Sequence, residues 1–343
     1  MMTDKLTYCR QILPRVSRTF ALGIELLQDP LRDVVCVSYL ICRIIDTIED
    51  TTSLPAKKRA DLLEQAGREL SDPDRWEKCC RVIKDTFPED DFKSPDHDLC
   101  RHSITVMELF YSFPETTRKV VTGPVREMAE GMAKTVRREL GEGGLRLETI
   151  EDLKQYCYYV AGTVGKMLTE LFSLDRESIT PDIRDQLRHY GNRFGLGLQL
   201  TNIIKGITDD RSRGVCYIPR ELLAGTGLTL DELIDHPDDP RGAMVINELV
   251  KTAVLWLDDA LEYTLSIPSQ ETDLRLFCGL PLIFAVRTLE LAGRTTAVFG
   301  EESLKITREE VTDIYLRLQK ICADDAAIRD FHRTEKNNIL YPD

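Results

Sequence analysis

Along most of the chain apolar residues return every three or four positions, the spacing of one face of an α-helix, and the alternation of a half-buried strand is nearly absent. The segment 31–50, LRDVVCVSYLICRIIDTIED, is apolar on almost every side until Asp46, which predicts a helix buried at the centre of its fold. Residues 55–70 are amphipathic and open on a proline, which suits a first helical turn. The same spacing predicts helices over 98–111, 114–141, 149–174, 180–210 (with a break near its start), 243–266, 271–299 and 307–323. Residues 88–96 read as a loop. Residues 209–242, rich in Gly, Pro and Asp, predict short helices at most, and the tail RTEKNNILYPD, from about 333, reads as loose. No composition shift and no internal repeat divides the chain. The expected fold is one all-α domain over residues 1–343.

Composition narrows the partners. The chain has 343 residues and a net charge of −13, from 45 basic and 58 acidic residues. That balance excludes a nucleic-acid partner and disfavours anionic membrane binding by charge alone. An anionic substrate must then be met by local cations or by metal ions. Ten cysteines form no CxxC pair, and Cys36, Cys42, Cys157 and Cys278 lie in apolar runs, as buried free thiols do in a reducing cytosol. The first twenty residues carry no apolar core of a signal peptide, and no stretch reaches the ~20 apolar residues of a membrane span. The expectation is a cytoplasmic protein, whose substrate can still be drawn from the membrane.

Chemistry concentrates in three places. In CRIIDTIED (42–50), Asp46 and Asp50 are spaced i,i+4 with Glu49 between them. An acidic helix end in solvent would carry the same letters. Here, however, the acids end a helix too apolar for a surface element, and clustered buried carboxylates repel one another unless cations meet them. Mg²⁺ suits such a set, since it takes carboxylate oxygens and leaves positions for substrate phosphate. In NIIKGITDD (202–210), Asn202 and Asp210 lie two turns apart on one face, with Gln199 one turn upstream and Gly206 midway. Alone this spacing says little. Beside the first cluster it suggests two acidic helices holding a diphosphate through bridging metals. Arg18, Arg43, Lys205, Arg211 and Arg213 are the nearby cations, and Arg43, inside so apolar a helix, requires a partner. The third place is YCYYVAGTVGKM (156–167), where Gly162 and Gly165 interrupt a helical pattern and permit close helix contact or leave room for a ligand.

The combination SRTFA, CRIIDTIED, YCYYVAGTVG, GLQLTNIIK…DD…RGVCYIP and FCGLP, in this order, resembles the squalene and phytoene synthases over roughly residues 8 to 310. DTIED, FCGLPLIFAVRTLELA and LKI resemble the squalene synthase branch, in a soluble, bacterial-type form without the membrane anchor of its eukaryotic relatives. The resemblance implies a single all-α isoprenoid synthase domain around a deep apolar cavity, with Phe20, Met128, Met132 and Leu198 in its lining. It implies Mg²⁺, or Mn²⁺ in its place, on Asp46, Glu49, Asp50, Asn202 and Asp210. Arg18, Arg43, Gln199, Asn202, Lys205 and Arg213 would bind substrate diphosphate. Arg18, Arg43, Lys205, Lys305 and Arg308 would bind NADPH, although Thr307 stands where the family usually has a basic residue. Tyr156 matches the tyrosine of the first step.

The implied reaction joins two farnesyl diphosphates head to head through presqualene diphosphate to squalene, with a hydride from NADPH. Asp46, Asp50, Asp210 and Tyr156 would carry the catalysis. The implied protein is a monomer, with peripheral contact to the inner membrane face for product release. Gly206 departs from the family pattern N-I-(I/L)-(K/R)-D-x-x-x-D at its first aspartate. A substitution that traps a complex, a natural member with altered activity, and an active enzyme that holds its third metal through water and Asp210 all fit. The expectation drawn from it is a chain that binds farnesyl diphosphate but turns it over slowly or stops early. Presqualene diphosphate, dehydrosqualene or phytoene synthesis without reduction, and a non-catalytic prenyl-diphosphate-binding protein, are the alternatives.

Overall fold

The computed structural model describes residues 2–87, 94–140, 145–236, 238–293, 298–299 and 304–339, without the side chains of Met2, Thr3 and Arg18. Helices stand almost everywhere the periodicity placed them. The chain falls into two compact units, residues 1–140 with 166–180 and residues 141–165 with 181–343.

The first unit is built round a helix that the hydrophobic pattern outlined fully. Its elements are α1 (Met2–Val16), α2 (Arg18–Leu26), α3 (Leu31–Asp50), α4 (Ala56–Glu69), α5 (Pro73–Thr86), α6 (Pro95–Arg101), α7 (Ser103–Tyr111) and α8 (Glu115–Arg138). Helix α3 touches α1, α2, α4, α6, α7 and α8 and buries fourteen of its twenty residues. From Tyr39 onward its less buried positions are Tyr39, Arg43, Asp46 and Asp50. Their spacing of four, three and four is one stripe of a helix. Helices α4 and α8 pack closely because Gly67 faces Ala129: a Cβ on Gly67 would lie 3.1 Å from the Ala129 Cβ. Arg137 ties the pair further, reaching Asp61 at 3.1 Å and Glu64 at 2.9 Å. Of the expected loop 88–96, residues 88–93 lie outside the described residues, while Ser94 caps α6 and Asp96 is already in its first turn.

The second unit contains the strands β1 (Leu145–Arg146) and β2 (Val215–Cys216), paired in parallel. Its helices are α9 (Ile150–Cys157), a π-helical turn (Tyr158–Gly162), α10 (Thr163–Asp175, which runs past the unit boundary), α11 (Pro181–Ser212), α12 (Arg220–Thr226), α13 (Leu230–Asp235), α14 (Pro240–Ser266), α15 (Thr272–Ala292), α16 (Arg308–Ile321) and α17 (Asp325–Asn337). The break expected near the start of 180–210 is absent: α11 runs unbroken for 32 residues. Its glycines are contact points instead. A Cβ on Gly195 would lie 2.2 Å from the Ala161 carbonyl oxygen, and one on Gly165 would lie 2.0 Å from that of Gly191. Backbone packs on backbone here, so the close-contact reading of Gly165 holds. Gly165→Ala should lower stability by roughly 3 kcal/mol, because a carbonyl cannot yield as a side chain can. Gly123→Ala, where an added Cβ meets nothing within 4 Å, should be neutral or slightly stabilising. Urea midpoints of the two variants check the contrast.

The tail expectation needs correcting as far as Asn337, and residues 340–343 lie outside the described residues. Residues 325–337 form α17, which buries Ile328, Phe331 and His332. Lys336 pairs with Asp258 at 2.7 Å, Arg329 pairs with Glu262, and Arg317 lies 3.9 Å over the Phe331 ring. In the sequence the run of charged residues masks this amphipathic stripe. Burial pushes the His332 imidazole down from 6.5 to about 4, and the nearby Asp258 only partly offsets this. The unfolded chain therefore takes up the proton first, and the stability that neutral His332 supports is complete above pH 6.5 and drains as the pH falls toward 4. Between pH 7.5 and 5 the unfolding free energy should fall by about 2 kcal/mol from this group. Replacing His332 by Leu should flatten that part of the profile, as read from urea melts at the two pH values.

All ten cysteines are buried free thiols. No helix among the described residues is long and apolar enough to cross a membrane.

Candidate active site

The partner that Arg43 requires turns out to be two carboxylates. Its Nη1 donates to Asp46 Oδ2 at 2.6 Å and its Nε donates to Asp96 Oδ1 at 2.8 Å. Burial works against the Arg43 charge, but the Asp96 hydrogen bond and the charges of Asp46 and Asp96 outweigh it, so the guanidinium is held firmly protonated. Asp46 is pushed up to about 6, first by burial and then by the Asp50 charge, with Arg43 pulling the other way. A carboxyl so placed is short of positive charge even with an arginine on it. Asp50, one turn on, is exposed, whereas Glu49 is only 4% exposed and belongs to the buried side of α3. Tyr39 shares the stripe with Arg43, Asp46 and Asp50; its hydroxyl is pushed up to about 12 by burial, and its ring lies 5.7 Å from that of Phe20.

These oxygens fit Mg²⁺. They are hard donors on adjacent turns, and the crowding that raises Asp46 is what a divalent cation would relieve. No three such side chains among the described residues converge on a ready-made metal site. Mg²⁺ needs only one or two carboxylates where substrate phosphates complete its shell.

On α11, Asp210 is buried and accepts a 2.6 Å hydrogen bond from Arg213 Nη2, while Asn202 is exposed and Gln199 half-buried. Gly206 stands midway. A Cβ added there would meet only Asp210 Oδ2, at 3.8 Å, so the position has room for a side chain. Arg211 does not join this group: it reaches Asp235 at 2.9 Å and Asp231 at 3.1 Å on α13. Lys205 and Lys305 do come together. Burial, then the Lys305 charge, pulls the Lys205 ammonium below its ordinary range. Two neighbouring ammonium groups fit a phosphate anion. Thr307 has a structural role: its hydroxyl accepts from the Glu310 amide at 3.1 Å, and the Glu310 carboxylate accepts from the Thr307 amide at 2.7 Å. It caps α16, with exposed Arg308 in the first turn. The side chain of Arg18 lies outside the described residues.

Tyr156 lies in the last turn of α9, is buried at 5% exposure, and shares a 2.8 Å hydrogen bond with the Tyr217 hydroxyl. Helix α9 starts cleanly because Thr149 and Asp152 form a capping box. Of the predicted cavity lining, Met128 and Met132 are buried on α8, and Phe20 and Leu198 are half-buried. Tyr39, Asp96 and Tyr217 escaped the sequence reading. A helical wheel would have found Tyr39, but nothing local marks Asp96 as the partner of a residue 53 positions away.

A family model for squalene/phytoene synthase matches residues 13–310. Squalene synthase 1 of Arabidopsis thaliana is 32% identical over 296 residues, 85% of this chain, and the chain covers 66% of that relative's length. A second Arabidopsis thaliana relative, 31% identical over 86% of this chain and 66% of its own length, bears the name inactive squalene synthase 2. Among solved structures, that of TcSQS with the ligand BPH1237 superposes with a TM-score of 0.82 at 26% identity, covering 98% of this chain and 91% of that one.

Proposed function

Because the chain belongs to the squalene/phytoene synthase family, we propose that it joins two farnesyl diphosphates head to head, through presqualene diphosphate, to squalene. The observation that carries this is the α3 stripe, where Arg43 bridges Asp46 and Asp96 and Asp50 follows one turn on. The squalene synthases among the relatives favour a C15 substrate and a squalene-type product.

When bound, Mg²⁺ on Asp46, Glu49 and Asp50 would supply positive charge to a departing diphosphate, and Asn202 and Asp210 of the second unit offer oxygen donors of the same kind. NADPH, held by Lys205, Lys305 and Arg308, would supply the hydride. The chain's own residues do the rest. Arg43, its plane fixed by Asp96 through Nε, presents its remaining N–H groups to phosphate oxygens, a fork geometry suited to them. Arg213 holds the Asp210 carboxylate in one orientation. Tyr156 offers its phenol oxygen to the cationic carbon skeleton and to the proton lost on forming the cyclopropane. Buried apolar side chains exclude the water that would quench a cation.

A second reading, a prenyl-diphosphate-binding protein without turnover, rests on Gly206 alone. Incubating the protein with farnesyl diphosphate and Mg²⁺, with and without NADPH, and identifying the products tests both. Squalene only with NADPH supports the full reaction; presqualene diphosphate or dehydrosqualene as the end product narrows it; binding without product supports the second reading.

A further inference from the structure

Helix α3 ends against its own dipole. Its last turn holds Glu49 and Asp50 and no basic residue. The carbonyls of a last turn lack intrahelical partners and carry partial negative charge, so acids are disfavoured there and cations favoured. Nor does a left-handed residue close the helix, since Thr51 leaves it in extended conformation. The missing cation comes from the next helix. Arg59, in α4, donates from Nη1 to the Glu49 carbonyl and from Nη2 to the Glu139 carboxylate, just past the end of α8. A guanidinium only donates, and carbonyl and carboxylate oxygens only accept, so the direction of both bonds is fixed.

Arg59 also stands where the pattern of α4 calls for an apolar residue. Leu63, Ala66 and Leu70 follow it at i+4, i+7 and i+11, and all three are fully buried. The Arg59 and Glu139 side chains are themselves only 12% and 15% exposed. An ion pair withdrawn this far from water adds little stability over apolar residues of similar volume. What it adds here is direction, because the fork joins α8 to the turn that carries Glu49 and Asp50.

We propose that Arg59 is a positioning residue for the acidic turn of α3. By holding the Glu49 carbonyl it keeps that turn at helical pitch, so that Asp46, Glu49 and Asp50 stay in register for a divalent cation. Its charge offsets the crowding of acids at a helix C-terminus, and Glu139 holds the guanidinium in place. Both Nη atoms are engaged within the fold. Arg59 therefore acts on the site through α3, and not by touching substrate.

This inference rests on the reading of α3 as a metal and diphosphate site, and the test separates the two. Mg²⁺ is titrated in the presence of inorganic diphosphate, with the melting temperature as readout. The proteins are the parent, Asp46→Ala, Arg59→Met, Arg59→Lys and Glu139→Gln, and amide hydrogen exchange along α3 is followed in each without metal. Arg59→Met, which keeps the packing of the stem, should raise the half-saturating Mg²⁺ concentration about 10-fold. Amides of the last turn should exchange at least ~10-fold faster relative to those of residues 36–42. Arg59→Lys, which keeps the charge and a donor, should fall between Arg59→Met and the parent. Glu139→Gln leaves Arg59 in place with a weaker anchor; it should raise the half-saturating concentration about threefold, and it serves if Arg59→Met does not fold. An unchanged Mg²⁺ response in Arg59→Met, or in Glu139→Gln where that variant stands in, would overturn the proposal alone. So would faster exchange spread evenly along α3, the mark of an arginine that only stabilises the fold. No melting response to Mg²⁺ and diphosphate in the parent, or a parental response in Asp46→Ala, would overturn the reading of α3 and the proposal with it.

Discussion

Asp46→Ala should abolish turnover of farnesyl diphosphate and leave the helical fold intact or slightly more stable. The two halves of that expectation have one cause. Burial and Asp50 push the Asp46 carboxyl up to about 6, so its charged form is held against an opposing environment. Such a group does not help the fold, and removing it relieves its repulsion from Asp50 and Asp96 while Arg43 keeps Asp96. What is lost is a carboxylate poised to share a cation with a departing diphosphate, and groups acting on transition-state charge are worth roughly 10²–10³ in rate each. Asp50→Ala should behave alike, with less effect on stability because Asp50 is exposed. The measurement is product formation at saturating Mg²⁺ beside a thermal melt. Near-parental activity in Asp46→Ala would remove the α3 stripe from the active site. A protein that loses activity only by unfolding would show the stripe to be structural.

Gly206→Asp should raise turnover by at least ~10-fold in Mg²⁺. The position can take the side chain, since an added Cβ meets only Asp210 Oδ2 at 3.8 Å. Replacing a helix glycine gains a few tenths of a kcal/mol in propensity, far too little to move the rate. A second carboxylate one turn from Asp210 repels it unless a cation stands between them. Hence the variant should respond to Mg²⁺ more than the parent does, with a larger rise in melting temperature on adding metal. That response can be read without any turnover. An unchanged rate beside a fast parent would mean that this chain does not need the missing aspartate. A Gly206→Asp protein that makes no product, with intact binding of farnesyl diphosphate, would favour the non-catalytic reading.

Much of this was legible along the chain because burial leaves a local signature. Helix α3 came out with both ends in place, as its apolar run is closed by acids, and the short helices α12 and α13 lie where Gly, Pro and Asp crowd. Gly162 and Gly165 also pointed to close packing, and they are pressed against α11. What could not be read was pairing. Asp96 sits in an unremarkable polar stretch, and only the fold brings it to Arg43. Tyr217 lies inside a quoted motif, but its stack on Tyr156 depends on two residue pairs of strand too short to show any alternation. The unbroken α11 contradicts its glycines for the same reason: tertiary contacts outweigh a propensity penalty of ~1 kcal/mol per glycine.

The wide turn over Tyr158–Gly162 also restricts how the chain can change in length. A π-helical turn holds one residue more than an α-helical one, and deleting that residue would let α9 run into α10 at a regular pitch with its backbone bonds remade. The shortened helix would be locally more favourable. It would also turn everything upstream by about 100° relative to the glycine face that packs on α11, and Tyr156 would leave Tyr217. Substitutions around this turn can be absorbed one side chain at a time, whereas a single deletion shifts the register of the whole segment. A related chain one residue shorter here would have to supply its phenol from another position.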